Sequence, residues 1–232
     1  MSDFSGWEKL SLVDYDDNIT TTLFMAGCPF RCPFCHNAEL VLHPESAPKI
    51  PWAEIKGYLE KRQGILDAVC ISGGEPTLLP DLEDKCREIK ELGYKVKLDS
   101  NGCQPHVLRS LIEKKLVDYI AMDIKNSKER YMSTCGTKVD MAAIEESVDL
   151  LIHSGIPFEF RTTVMEEFHD EEAFEKIADW VRGAKRFYVQ RYIDSGGCIQ
   201  NGFHQVPIEK ARKFVEILAK TVDFASLRGY DE

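Results

Sequence analysis

The sequence has fewer positively than negatively charged residues, and it contains no long apolar run and no linker-like stretch. Its 232 residues contain 29 lysines and arginines against 39 aspartates and glutamates, a formal net charge of −10. An acidic chain is a poor match for a phosphate backbone, so we expect no nucleic acid partner. No apolar run reaches the length of a membrane span, and the opening residues have neither the basic nor the apolar region of a secretion signal. We therefore expect a cytoplasmic protein with no membrane partner.

The absence of a glycine-, proline- or serine-rich divider predicts a single domain over residues 1–232. Short β-branched or apolar runs alternate with segments of helical periodicity. The predicted strands are residues 19–26, 68–72, 95–99, 119–124, 158–164 and 186–192. This alternation predicts an α/β fold of parallel strands with right-handed crossovers, either a doubly wound sheet or a barrel. In both, ligands bind at the carboxyl ends of the strands.

Three cysteines lie close together directly after the first predicted strand. Cys28, Cys32 and Cys35 are spaced C-x3-C-x2-C within Gly-Cys-Pro-Phe-Arg-Cys-Pro-Phe-Cys-His. A cubane iron–sulfur cluster usually takes four thiolates, so three would leave one iron open to a substrate. The alternative is a structural zinc site, but such sites are closed by four ligands and His36 adjoins Cys35 too closely to share its metal. The spacing favours an iron–sulfur cluster.

The other five cysteines need separate explanations, because a chain without a secretion signal is expected to keep its thiols reduced. Cys70 lies in a strand-like run and Cys86 on the apolar face of a predicted helix, so both are expected to pack in the core. Cys103, Cys135 and Cys198 fall in glycine-containing stretches that we expect to be loops. We predict no function for these three.

Every predicted strand after the first ends in a stretch that contains polar residues or glycines, and from these stretches we single out ten residues. They are Gly73, Gly74 and Glu75; Asp99 and Asn101; Asp123, Ile124 and Lys125, in which the apolar Ile124 separates the two charges; Arg161; and Gln190. Each signal is weak alone, because Gly-Gly-Glu-Pro and Asn-Gly are common turns and Asp123 could pair with Lys125 at the surface. Their joint placement after a three-thiol loop favours a common ligand site.

With these motifs in place, the chain resembles the radical S-adenosylmethionine family. That family is marked by C-x3-C-x2-C after the first strand and by Gly-Gly-Glu after the second. Narrower features are similar to the glycyl radical enzyme activating enzymes: Phe34 before the last cysteine, Cys-His-Asn at 35–37, Leu-Asp-Ser-Asn-Gly at 98–102 and Asp-x-Lys at 123–125. Residues 5–15 and 35–40 are most similar to the activating protein of the anaerobic ribonucleoside-triphosphate reductase.

The resemblance implies a partial (β/α)6 barrel of parallel strands with outer helices, without a ferredoxin-like insertion. It implies one [4Fe-4S] cluster on Cys28, Cys32 and Cys35, with S-adenosylmethionine as cosubstrate, and it allows a monovalent cation. For the remaining residues it implies a cosubstrate site. Gly73, Gly74 and Glu75 would bind the amino and ribose region, Phe34 and His36 would lie by the adenine, and Asp99, Asn101, Asp123, Ile124, Lys125, Arg161 and Gln190 would line the rest, with Asp99, Asp123 and Lys125 at the carboxylate end.

The implied activity is reductive cleavage of S-adenosylmethionine to methionine and a 5′-deoxyadenosyl radical, which abstracts hydrogen from a glycine of a partner enzyme. The implied partners are the anaerobic ribonucleoside-triphosphate reductase and a low-potential electron donor such as flavodoxin or ferredoxin. Three alternatives stay open. They are activation of another glycyl radical enzyme of the pyruvate formate-lyase type, a radical reaction on a small molecule, and a zinc-binding interaction module.

Overall fold

A computed structural model describes residues 2–194 and 196–230, so the ends of the predicted domain at residues 1 and 231–232 lie outside the described residues. The chain forms two compact units. The first comprises the chain up to Pro29 with Asn37–Ser100 and Gln104–Ile120; the second comprises Phe30–His36, Asn101–Cys103 and the chain from Ala121 onward. The prediction of a single domain stays a prediction.

Eight strands and eight helices are found in the described part of the chain. The strands are β1 (Gly6–Ser11), β2 (Thr20–Met25), β3 (Ala68–Gly73), β4 (Lys95–Ser100), β5 (Tyr119–Asp123), β6 (Phe158–Val164), β7 (Phe187–Arg191) and β8 (Ala225–Arg228). The helices are α1 (Ala38–Leu42), α2 (Trp52–Lys61), α3 (Leu82–Glu91), α4 (Pro105–Glu113), α5 (Tyr131–Cys135), α6 (Met141–His153), α7 (Glu171–Trp180) and α8 (Ile208–Leu218). All six predicted strands are present, as β2–β7.

The first unit is built on parallel pairing of β2 with β3 and of β3 with β4. Residues of one alternate set along these strands, such as Leu23, Ile71 and Leu98, are fully buried. The connection from β2 to β3 contains α2, and the connection from β3 to β4 contains α3; each also contains one short helical segment. Both helices are amphipathic, and their apolar residues are buried. The polar ends of β3 and β4 therefore emerge from a rigid core.

The second unit contains β6, β7 and β8, which pair in parallel. Phe160 and Phe187 are register partners and are fully buried, and Phe174 of α7 stacks on Phe214 of α8 with centroids 4.1 Å apart. Arg161 and Thr163 of β6 and Tyr188 and Gln190 of β7, which alternate with the buried residues, are half-buried. Apolar residues on one face and polar residues on the other are what a half-buried sheet requires.

Two strands were not predicted. β1 reads Gly-Trp-Glu-Lys-Leu-Ser, which lacks apolar alternation, and it forms because it pairs antiparallel with β2. β8 is only four residues long and has no β-branched residue, yet it pairs with β7 from Phe187 through Gln190. Both strands are therefore stabilised by pairing with a neighbouring strand rather than by their own sequence pattern. The last helix, α8, ends at Leu218.

Four glycines lie just beyond the ends of helices. Gly64, Gly93, Gly155 and Gly183 all have φ between 75° and 90°, the left-handed region that ends a helix. The described helices include none with the length and apolarity needed to cross a bilayer.

Candidate functional site

Of the three cysteines, Cys28 belongs to the first unit, and Cys32 and Cys35 belong to the second. Cys32 is buried, whereas Cys28 and Cys35 are half-buried, and all three are thiols rather than disulfides. Three soft thiols are the donor set that iron–sulfur clusters use, each thiolate binding its own iron. Among the described residues, no three His, Cys, Asp or Glu side chains are grouped to hold a single metal ion. The donors present fit a cluster.

Cys32 has an environment that favours its thiolate. A hydrogen bond with the Cys135 side chain outweighs the effect of burial and, with help from the Lys125 charge, lowers the pKa of Cys32 to about 7. The thiolate is the form that binds metal. Cys135 was expected in a loop, and this is wrong: it is the last residue of α5 and is fully buried.

The same helix end holds the cysteine loop by its backbone. The Arg31 amide donates to the Cys135 carbonyl at 2.9 Å. Gly136, with φ of 65°, follows directly, and a Cβ there would lie 2.3 Å from the Arg31 carbonyl oxygen. Only glycine fits this close backbone approach.

Phe34 and His36 are contacted by two segments of the second unit, the loop after β6 and the residues after β7. Phe34 is buried and packs on Phe168 at 5.9 Å between centroids. His36 Nε2 lies 2.7 Å from the Ile193 carbonyl oxygen, and its ring is 5.7 Å from that of Tyr192. Contacts with Phe168, Tyr192 and Ile193 therefore fix the loop residues that follow Cys32.

The Gly-Gly-Glu turn requires its glycines. A Cβ on Gly73 would lie 2.3 Å from the Met25 amide nitrogen, and one on Gly74 would lie 2.0 Å from the Gly27 carbonyl oxygen. The Gly74 amide donates to the Met25 carbonyl at 2.7 Å, and the Asn37 side chain donates to the Gly73 carbonyl at 2.8 Å. The end of β3 is thus pressed against the turn that follows β2.

Glu75 is a fully buried clamp inside the first unit. Its Oε1 accepts hydrogen bonds from the Thr77 amide at 3.1 Å, from the Thr77 hydroxyl and from the Ser100 hydroxyl at 2.9 Å. These bonds tie the end of β3 to the end of β4. A buried carboxylate needs several such donors to offset the loss of water.

The end of β4 positions two further predicted residues. Asp99 Oδ2 accepts from the Ser72 hydroxyl at 3.0 Å, and Oδ1 lies 3.3 Å from the Lys97 ammonium. Asn101 is buried in the second unit, where its side-chain oxygen accepts from the Cys103 amide at 2.9 Å. Lys97 was not predicted as a site residue.

The Asp-Ile-Lys triplet forms a charged cluster in the second unit. Asp123 accepts from Lys125 Nζ at 2.9 Å and from Arg161 Nε at 3.0 Å. Burial would raise the pKa of Asp123, but the two cations outweigh it and lower the pKa to about 2. Asp123 and Cys32 in turn raise the pKa of Lys125 well above its usual value despite burial. All three charges are retained at neutral pH.

The backbone of this cluster is held to β6. The Ile124 amide donates to the Arg161 carbonyl at 2.8 Å, and the Ile124 carbonyl accepts from the Thr162 hydroxyl at 2.6 Å. Gln190 lies opposite Thr163 in the β6/β7 register and opposite Arg228 in the β7/β8 register, on the polar face of the sheet. Gln190 is half-buried there.

His169 is a residue that the sequence did not single out. It is buried, accepts from the Met165 amide at Nδ1 and, as the Nε2–H tautomer this bond requires, donates to the Lys125 carbonyl at 3.0 Å. Burial lowers the pKa of His169 to about 4. The neutral ring fixes the backbone that presents Lys125. A lone histidine between a strand and a helix gives no spacing signal, so only the fold reveals this contact.

His169 should make stability depend on pH. Folding lowers the pKa of His169, so its contribution to the free energy of unfolding is fully present above the unfolded pKa near 6.5. This contribution is lost as the pH falls from there toward 4, by about 1.4 kcal/mol per pH unit. Urea unfolding of the reconstituted protein at pH 7.5 and 5.5 should show a smaller loss for His169→Gln than for the native chain. His153→Gln, an exposed histidine on α6, is the control. Equal losses in all three proteins would contradict the prediction.

Fold and site together define a class, the α/β proteins of parallel strands with a three-cysteine loop after the first parallel strand. A model of the Radical SAM superfamily matches residues 22–181. The chain belongs to this superfamily, and it is a radical S-adenosylmethionine enzyme. The family implies a [4Fe-4S] cluster and S-adenosylmethionine, so the zinc-binding alternative is not supported.

Two curated relatives give a narrower comparison. A protein of Methanocaldococcus jannaschii, provisionally named glycyl-radical enzyme activating enzyme, is 32% identical over 232 residues, covering 97% of this chain and 95% of the relative. The pyruvate formate-lyase-activating enzyme of Staphylococcus aureus is 33% identical over 129 residues, 51% of each chain. The first similarity extends along nearly the whole of both proteins.

Solved structures confirm the predicted α/β fold class. Streptococcus suis SuiB bound to S-adenosylmethionine matches with a TM-score of 0.69 at 17% identity, over 88% of this chain and 48% of SuiB. A domain of a pyruvate-formate lyase-activating enzyme from Bacteroides vulgatus matches with a TM-score of 0.58 at 17% identity, over 70% of this chain and 99% of that domain. At these identities the likeness concerns the fold alone.

Proposed function

We propose that the protein activates a glycyl radical enzyme by generating a radical on one of its glycines. The observation that supports this most strongly is the 32% identity to a glycyl-radical enzyme activating enzyme over almost the full length of both chains. The motifs at 35–37, 98–102 and 123–125 supply the buried or charged contacts described above. A radical reaction on a small molecule would leave this full-length similarity unexplained.

Within this proposal, Cys28, Cys32 and Cys35 hold the [4Fe-4S] cluster, and the predicted residues at the strand ends bind S-adenosylmethionine. When bound, these groups supply a one-electron cleavage to methionine and a 5′-deoxyadenosyl radical, which takes a hydrogen atom from glycine and becomes 5′-deoxyadenosine. The cleavage requires one electron from a low-potential donor such as flavodoxin or ferredoxin. Cys135 favours the thiolate of Cys32 before the metal binds.

The chain's own groups bind and orient. Glu75, through its bonds to Thr77 and Ser100, holds the Gly73–Gly74 backbone at the end of β3, where the amino and ribose groups would bind. The Lys125 and Arg161 cations, balanced by Asp123, provide fixed charge for the carboxylate end. Phe34 offers an apolar surface for adenine beside His36, and Gln190 lines the polar face of β7.

The proposed partner is the anaerobic ribonucleoside-triphosphate reductase, and a partner of the pyruvate formate-lyase type is an equal candidate because of the Staphylococcus aureus relative. Residues 5–15, on which the reductase assignment depends, have a structural use in the first unit. Trp7 donates to the Thr21 hydroxyl at 2.8 Å and packs edge-on against Tyr58. That segment therefore does not by itself distinguish the two partners.

Electron paramagnetic resonance of each partner tests the proposal. The reductase and pyruvate formate-lyase are incubated anaerobically with this protein, a reductant and S-adenosylmethionine, with parallel samples lacking the cosubstrate. A glycyl radical on the reductase alone supports the assignment, and one on the lyase alone assigns the protein to that type. 5′-Deoxyadenosine without a radical on either partner would contradict both and favour a small-molecule substrate.

A further inference from the structure

Lys97 is a buried ammonium in the middle of the polar face of β4. Its side chain is 5% exposed, and Nζ donates to the Asp14 carbonyl and lies 3.3 Å from Asp99 Oδ1. A buried charge is stable only when it is paired and hydrogen-bonded. The position of this ammonium is therefore set by the carboxylate of Asp99 and by the loop that contains Asp14.

The loop between β1 and β2 supports Lys97 from the amino-terminal side. Asp14 also accepts from the Thr22 hydroxyl on β2. The neighbouring Tyr15 ring packs on Tyr119 with centroids 5.2 Å apart. The ammonium contacts the β1–β2 loop at Asp14 and its own strand at Asp99, so it is not a freely moving side chain.

Asp99 accepts a hydrogen bond from Ser72 at Oδ2, and its buried Oδ1 makes an ion-pair contact with the Lys97 ammonium at 3.3 Å rather than a hydrogen bond. The resemblance to the family allowed a monovalent cation beside this carboxylate. The ammonium already supplies a positive charge at that place and repels a second cation at short range. The residues around Asp99 therefore do not fit an alkali cation.

We propose that Lys97 is a positioning residue that supplies, as a fixed ammonium, the positive charge that a monovalent cation would supply beside Asp99. This inference rests on the proposed placement of Asp99 in the cosubstrate site. An anionic cosubstrate carboxylate approaches Asp99 more easily when Lys97 neutralises it. Binding of S-adenosylmethionine is then independent of the alkali cation in the buffer.

The test measures S-adenosylmethionine binding to the reconstituted, unreduced protein by equilibrium dialysis in potassium, sodium and tetramethylammonium chloride at equal ionic strength. We expect the native affinity to be the same in all three salts. Lys97→Met should lose about tenfold in tetramethylammonium, because Asp99 then lacks its counter-charge, and should recover part of the loss in potassium or sodium. Lys97→Arg should remain independent of the cation.

The matched control is Lys95→Met, two residues away on β4, where an exposed lysine donates to the Asn18 side chain at 2.9 Å. This variant should bind S-adenosylmethionine normally in every salt. Native affinity that falls about tenfold without an alkali cation would overturn the inference, and this measurement needs no variant to fold. Native-like binding by a folded Lys97→Met in every salt would also overturn it. Asp99→Asn separates the two proposals. If Asp99 lies beside the cosubstrate carboxylate, this variant leaves the Lys97 charge uncompensated and should bind S-adenosylmethionine more tightly, whereas unchanged binding removes Asp99 from the cosubstrate site.

Discussion

Replacing Cys28, Cys32 and Cys35 together by alanine should abolish iron binding after anaerobic reconstitution and, with it, all formation of 5′-deoxyadenosine. The native chain should bind about four irons, since one cubane cluster is expected. The physical reason is that thiolates are the only soft donors on this loop and that a cluster bound through three of them has no protein ligand to replace a lost one. Iron analysis and the visible absorption of the cluster measure the first effect directly.

The control must keep the cluster ligands and their neighbours. Cys103→Ser alters a half-buried thiol outside the loop and should retain the full iron content. Cys198 is unsuitable because its thiol donates to the Phe34 carbonyl, directly before Cys35. Cys135 is unsuitable as a control, because its side chain hydrogen-bonds Cys32 and its carbonyl accepts from Arg31. About four irons in the triple variant would show that other residues hold the cluster.

Asp123→Asn should lower the rate of 5′-deoxyadenosine formation by about 100-fold while leaving the iron content unchanged. The neutral amide keeps the shape of the side chain but removes the charge that orients Lys125 and Arg161, which hold it at 2.9 and 3.0 Å. Misplacement of binding groups by an ångström can cost a factor of this size. From the sequence alone, Asp123 could be a surface ion pair worth at most about 1 kcal/mol. The second cation and the partial burial argue against that interpretation.

A second carboxylate in the same unit separates loss of chemistry from loss of stability. Glu159 is buried and pairs with Arg228 through two hydrogen bonds of 2.7 and 3.2 Å, outside the predicted site. Glu159→Gln should therefore destabilise the fold at least as much as Asp123→Asn, and its rate of 5′-deoxyadenosine formation should remain close to native. Equal rates of 5′-deoxyadenosine formation in the two variants would indicate that Asp123 has only a structural role. Urea unfolding of both proteins provides the comparison of stability.

Local patterns determined much of this protein in advance. The thiols of Cys28, Cys32 and Cys35 are recognisable by spacing alone, because ligands on one short loop need no distant partner to come together. The strands β2–β7 are likewise visible, since their apolar runs differ in period from the helices between them. The pair Gly73 and Gly74 also indicates from the sequence that another group approaches the backbone closely. Only the fold shows that the approaching groups are the backbones of Met25 and Gly27.

Tertiary structure decided the contacts between residues far apart in sequence. Nothing local indicates that Glu75 would clamp Ser100, that Lys97 would meet Asp14, or that the strands β1 and β8 would form by pairing with their neighbours. His169 and Cys135 acquire their roles in the same way, because hydrogen bonds to Lys125 and Cys32 exist only once the chain has folded. A sequence pattern shows which groups are available and at what spacing. Which of them are buried together, and so which charges must be balanced, depends on packing between distant segments.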